Sequence, residues 1–210
     1  MSLTGDQVGV HSALANKIVF NALQQKLIPE VGDYDSVQPE FTFGADRKSR
    51  VDFLLTRPPR GDRPPALVYL EVKSVTLSEQ HRDKPDVTIA LFPDTVSERA
   101  QKHVKELMNV VEEGHEAICL FVIQRGDCTH FAPSFEKDCE YAKLILQASA
   151  KGVKMIAIKC PMIVTKEQST EAAIHYNGSA VVDLIYKQHL IQTASDSSRK
   201  RRQRTTDKKT

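Results

Sequence analysis

Tryptophan is absent from the 210 residues, aromatic side chains make up only 6% of them, and glycine and proline number nine and ten. That scarcity of Gly and Pro excludes collagen-like and low-complexity classes. No apolar run approaches the roughly 18 residues that a membrane-spanning helix requires. Residues 1–10 have neither the basic start nor the apolar stretch of a secretory leader. The expectation is a soluble, intracellular protein with no membrane partner. Cysteines are few as well: Cys119, Cys128, Cys139 and Cys160 are separated by 8, 10 and 20 residues, without a C-x-x-C or C-x-x-H pair. A zinc cluster or disulfide framework is therefore not expected, and the four read as isolated reduced thiols, partly in the core.

What is present, 40% hydrophobic and 27% charged residues, suits one globular domain large enough to bury a sizeable core. The formal net charge of +2 is unevenly spread. Arg199, Lys200, Arg201, Arg202, Arg204, Lys208 and Lys209 face only Asp207 in the last twelve residues, and the 22 basic and 26 acidic residues elsewhere leave the body at −4. The chain divides into a domain over 1–190 and a basic tail over 191–210 that is expected to be disordered. A run such as Arg199 to Arg204 suits a nuclear-import address, if the source is eukaryotic, or a phosphate-binding arm. A solvated tail with no dedicated role is the alternative.

Helical and strand periods alternate. Leu14, Ile18, Val19, Ala22 and Leu23 form one stripe, which predicts a helix within Val10 to Leu27 that stops before Pro29. Ser49 to Thr56 and Leu67 to Val75 read as strands of a hairpin whose proline-rich connection forbids regular pairing. Val96, Ala100, Val104, Leu107, Met108 and Val111 predict a helix over Thr95 to Glu113, with Asp94, Thr95 or Ser97 as N-cap and Gly114 as its stop. The apolar run from Ala117 to Gln124 suits a strand covered on both faces. A helix over Asp138 to Lys151 ends at Gly152, a strand follows over Val153 to Lys159, and Asn177-Gly178 offers a tight hairpin. This order predicts an α/β fold with a mixed sheet flanked by helices.

In the strand Leu67 to Val75, alternation places Leu67, Tyr69, Glu71, Lys73 and Val75 on one face. Glu71 and Lys73 thus share a face of a strand otherwise fit for the interior, where unpaired charges cost several kcal/mol each. Pairing with the preceding strand would bring Asp52 beside Glu71. Two carboxylates with the carbonyl of Val72 suit a hard ion such as Mg²⁺ or Mn²⁺. Such an ion lowers the pKa of a bound water and stabilises charge on a phosphate. Lys73 would orient or deprotonate that water. This is the D…E-x-K pattern of PD-(D/E)xK nucleases, with a restriction-endonuclease-like core. Glu40 is a candidate third acid and Glu30 its competitor; a cross-strand salt bridge is the structural alternative for the whole set.

Four ordered segments carry a more specific resemblance: Ser49 to Leu55; Glu71 to Leu77; Phe92, Pro93, Asp94 and Thr95; and Arg99, Gln101, Lys102 and His103 with Glu106 and Leu107. They resemble successive motifs of the sugar fermentation stimulation protein family, over about Val8 to Lys159. The resemblance implies a nuclease-like site at Asp52, Glu71 and Lys73, with Glu40 as an outer ligand, a divalent cation as cofactor, and DNA, or RNA, as partner. Arg50, Arg99, Gln101, Lys102 and His103 would contact nucleic acid or support the site, and a homodimer is a further expectation. Members of the family carry an OB-like barrel before the nuclease-like domain, and the similarity begins with that second domain. His11, Ser12 and Ala100 depart from the family pattern, away from the acidic residues. The alternative function is a DNA-binding regulator of sugar-utilisation genes without catalysis, for which Arg99, Lys102 and the basic tail would supply salt-dependent affinity.

Overall fold

Three helices lie where the 3.6-residue apolar periodicity places them: α1 (Ser12–Gln24), α2 (Glu98–Glu112) and α3 (Cys139–Lys151). The computed structural model describes residues 12–43, 49–59, 61, 64–164 and 172–190. The basic tail and residues 8–11 lie outside the described residues. Of the three N-cap candidates for α2 it is Ser97 that serves, its hydroxyl accepting from the Ala100 N–H at 3.2 Å. Asp138 caps α3 in the same way, and Gly152 ends it in the left-handed region at φ 106°, where its N–H reaches the carbonyls of Ala148 and Ser149. An alanine there would need the backbone state that L side chains avoid. Gly152→Ala is expected to lower unfolding free energy by about 1 to 2 kcal/mol in denaturant titration.

The strands are β1 (Ser36–Phe43), β2 (Ser49–Thr56), β3 (Leu67–Val75), β4 (Leu77–Gln80), β5 (Thr88–Phe92), β6 (Glu116–Ile123), β7 (His130–Pro133), β8 (Lys154–Lys159), β9 (Met162–Val164), β10 (Ala172–Ile174) and β11 (Val181–Val182). The main sheet has the order β1-β2-β3-β6-β8. Its first three strands are antiparallel neighbours, and β3, β6 and β8 run parallel. Ala15, Val19 and Leu23 of α1 pack with Val68, Leu70, Leu120 and Ile156 on one face. Val104 and Leu107 of α2 with Tyr141 and Ile145 of α3 pack with Tyr69, Cys119 and Phe121 on the other. The α/β expectation, a mixed sheet between helices, describes this arrangement.

A second sheet, β11-β7-β5-β4, goes beyond what periodicity indicates. Its strands are short, and it joins the main core through Phe131, whose ring stacks on Phe121 at 3.8 Å between centroids. The Asn177-Gly178 hairpin is a correction. These residues instead run beside the end of β8, where Asn177 N–H donates to the Lys159 carbonyl and Lys159 N–H to the Gly178 carbonyl. The backbone polar groups that a tight turn would have paired locally are satisfied by a neighbouring strand.

The main sheet is irregular at two adjacent points. The β2–β3 ladder ends at Phe53↔Leu70, one residue short of the position at which Asp52 would face Glu71. Beside it, the pairing of β1 with β2 skips the step between Pro39↔Phe53 and Phe41↔Val51, where Glu40 would face Asp52. Glu40 takes φ 53°, a left-handed conformation uncommon for a residue with a side chain. The side-chain alternation of β2 slips at the same point: Val51 and Leu54, three apart, both join the α2–α3 face, while Phe53 and Leu55 join the α1 face.

Candidate active site

Where β2 and β3 part, a backbone N–H of β3 is left without a ladder partner, and a side chain supplies one. The carboxylate of Asp52 accepts from Val72 N–H through Oδ2 at 2.7 Å and from the Asn16 amide of α1 through Oδ1 at 2.8 Å. Glu71 and Lys73, which flank Val72 and share a face of β3, are only 4% and 8% exposed. Lys73 Nζ donates to Glu71 Oε1 at 2.6 Å, so the pair is neutralised internally as burial demands. His103 of α2 reaches the same oxygen through Nδ1 and lies 3.4 Å from Lys73 Nζ.

These groups line a cleft of about 370 Å³, into which Asn16, Arg99 and Ser97 also open. Burial raises the Asp52 carboxyl above its ordinary range, and the neighbouring charge of Glu71 raises it further against the pull of its hydrogen bonds. Burial acts most strongly on Glu71 too, also upward. There, the His103 hydrogen bond and the Lys73 charge together outweigh it and hold the carboxyl below the usual range. Asp52 is thus pushed towards protonation by burial and by a second carboxylate in the same cleft, a repulsion that a bound cation would relieve. Among the described residues no group of three or more His, Cys, Asp or Glu side chains is arranged to hold a metal ion. The oxygen donors that the cleft offers are the carboxylates of Asp52 and Glu71, ligands of the type that hard divalent cations take.

The other residues expected to contribute are dispersed. Arg99 is exposed at the cleft, one helical turn before His103. Lys102 turns to Glu106 at 3.4 Å, and Glu106 also accepts from the Ser49 hydroxyl. Gln101 faces away from the cleft and donates to both oxygens of Asp138 at 3.0 Å, tying α2 to the start of α3. This contact is structural. Gln101→Ala is expected to lower stability by about 1 kcal/mol, measured by thermal melting. Glu40 is exposed, its side chain 73% accessible and 3.8 Å from Arg50. Glu30 lies in the turn Pro29–Val31 and accepts from Ser179, outside the cleft. Asn16 is not among the residues that sequence reasoning singles out. It is a polar residue between apolar Ala15 and Ile18 on α1, and only the approach of that helix to β2 shows what it touches.

A family profile described as "Sugar fermentation stimulation protein RE domain" matches residues 13–166. Sugar fermentation stimulation protein homologues resemble the chain over most of its length. The one from Trichodesmium erythraeum is 44% identical over 82% of this chain and 61% of its own, and the one from Gloeobacter violaceus is 39% identical over 87% and 68%. The chain thus spans about three fifths to two thirds of the length of these curated relatives. Among solved structures, SfsA of Pyrococcus furiosus, described as a complex with Ca²⁺, superposes with a TM-score of 0.69 at 25% identity. That match covers 85% of this chain and 68% of the archaeal one.

Proposed function

The chain belongs to the sugar fermentation stimulation protein family, and we propose that it is a divalent-cation-dependent phosphodiesterase acting on DNA, built on a restriction-endonuclease-like core. One observation carries the reading: at the fork between β2 and β3, Asp52 and Glu71 meet in one cleft with the ammonium of Lys73 against Glu71. Asp52, Glu71 and the carbonyl of Val72 would hold the ion, for which Mg²⁺ or Mn²⁺ is the expectation, and the Ca²⁺ complex of the archaeal relative is in keeping with a hard-cation site. Such an ion, when bound, would supply a water of lowered pKa and stabilise charge on the phosphate.

The chain's own groups do the rest. Asn16 and Val72 N–H fix the plane of the Asp52 carboxylate. His103 holds Glu71 from the helix side. In this reading Lys73, bonded to Glu71, orients the attacking water or balances charge on the phosphoryl group, and Arg99, which also lines the cleft, receives a phosphate. The decisive assay incubates end-labelled single- and double-stranded DNA and RNA with the full chain in Mg²⁺, Mn²⁺ or EDTA. Cation-dependent cleavage of DNA is the expected result, and no cleavage of any strand form overturns the reading. Binding without cleavage, weakened by salt and by Arg99→Ala, would assign the chain to the non-catalytic regulators instead.

A further inference from the structure

A second depression, of about 470 Å³, adjoins the cleft, and Asn16 and Asp52 line both. Phe20 and Asn21 of α1, Pro39 and Glu40 of β1 and Phe53 of β2 line it. Phe20 is half-buried, and its ring lies nearly parallel to that of Phe53, 14° apart in plane with centroids at 6.1 Å. Lys17 at the edge is exposed and cationic. Glu40 and Asp52, the pair skipped in the β1–β2 ladder, both line it, Glu40 in the left-handed conformation. A ring and a proline for stacking, the amide of Asn21 and the carboxylate of Glu40 for the polar edge of a base, and the Lys17 cation for a phosphate beside it suit a nucleotide.

We infer that this pocket receives the base of the nucleotide flanking the scissile phosphate, so that the substrate must be unpaired at that position. The inference rests on the phosphodiesterase reading and adds the strand form of the substrate. The two clefts share Asn16 and Asp52, so a strand with its phosphate beside Asp52 and Glu71 would have its adjoining nucleoside at the Phe20 pocket. A base held in a duplex is stacked between its neighbours and cannot present its face to Phe20. A single strand, a frayed end or an extruded nucleotide can.

The test uses the full chain with Mn²⁺ and end-labelled oligonucleotides in which one abasic position is walked along the strand, cutting being scored bond by bond. In the wild type an abasic nucleotide beside a bond is expected to slow cutting of that bond roughly tenfold, the loss of one base–aromatic stack. Phe20→Leu keeps the packing against Phe53 but removes the flat ring. In it the abasic penalty should vanish, while Phe20→Tyr should retain it, because two changes that remove one interaction do not add. Fully paired duplex should be cut at least tenfold more slowly than single strand. Equal cutting with and without the base, a full penalty retained in Phe20→Leu, or equal rates on duplex and single strand would overturn the base pocket alone. A wild type that cuts nothing would overturn the pocket together with the phosphodiesterase reading.

Discussion

Asp52→Asn is expected to abolish cation-dependent cleavage while leaving the fold intact, and Lys73→Met to lower the rate roughly 10²- to 10⁴-fold. The two variants differ in what they do to stability, which makes the pair informative. Asp52 carries a carboxyl that burial and the Glu71 charge push towards the neutral form. An amide at this position removes the repulsion and still offers one oxygen to Val72 N–H or to Asn16. Its melting temperature should therefore match or exceed that of the wild type. Lys73→Met removes the ammonium bonded to Glu71 and leaves a buried carboxylate with the His103 ring as its partner. A destabilisation of about 1 to 3 kcal/mol should accompany its loss of activity. Titration calorimetry with Mn²⁺ adds a readout independent of turnover: heat of binding in the wild type and none in Asp52→Asn. Variants that cleave as fast as the wild type would reduce the Glu71–Lys73 pair to a structural salt bridge.

Asp138→Ala is expected to cost about 2 to 3 kcal/mol of unfolding free energy, more than an isolated helix cap provides. Asp138 is 3% exposed and serves both long helices of its layer. It caps α3 through Tyr141 N–H at 2.9 Å, accepts from Ser97 N–H just before α2 at 2.9 Å, and holds the Gln101 amide. Removing it orphans donors on two elements at once. Burial raises the Asp138 carboxyl more than any other single influence, yet the hydrogen bonds from Ser97, Tyr141 and Gln101 together bring it below its ordinary value. A carboxyl depressed by folding stabilises at pH values above its unfolded pKa of about 4, and that contribution fades as pH falls through the lower folded value. The difference between wild type and Asp138→Ala should consequently be full at neutral pH and shrink below about pH 4, as chemical denaturation across pH would register. A difference that stayed constant to about pH 2 would mean that the carboxylate's charge contributes nothing. Because α2 carries Arg99 and His103, the variant should also weaken catalysis, and Asp138→Asn, which keeps an acceptor, should recover most of both properties.

Read from the chain alone, periodicity and chemistry decide a good deal. The alternation of Leu67 to Val75 puts Glu71 and Lys73 on one face, and their burial side by side follows from that spacing of two. Ser97, Asp138 and Gly152 mark helix ends through short-range hydrogen bonds and backbone preferences, so they too are local information. Four ordered motifs suffice to place the chain in its family. Tertiary structure alone decided the parting of β2 from β3, the left-handed backbone of Glu40 and the assignment of Asn16 to Asp52. It also turned Gln101 from the cleft to Asp138 and assembled the second sheet from strands too short to announce themselves. Each of these is settled by groups dozens of residues apart competing for the same hydrogen bond or the same patch of core, and no window of local sequence contains both competitors.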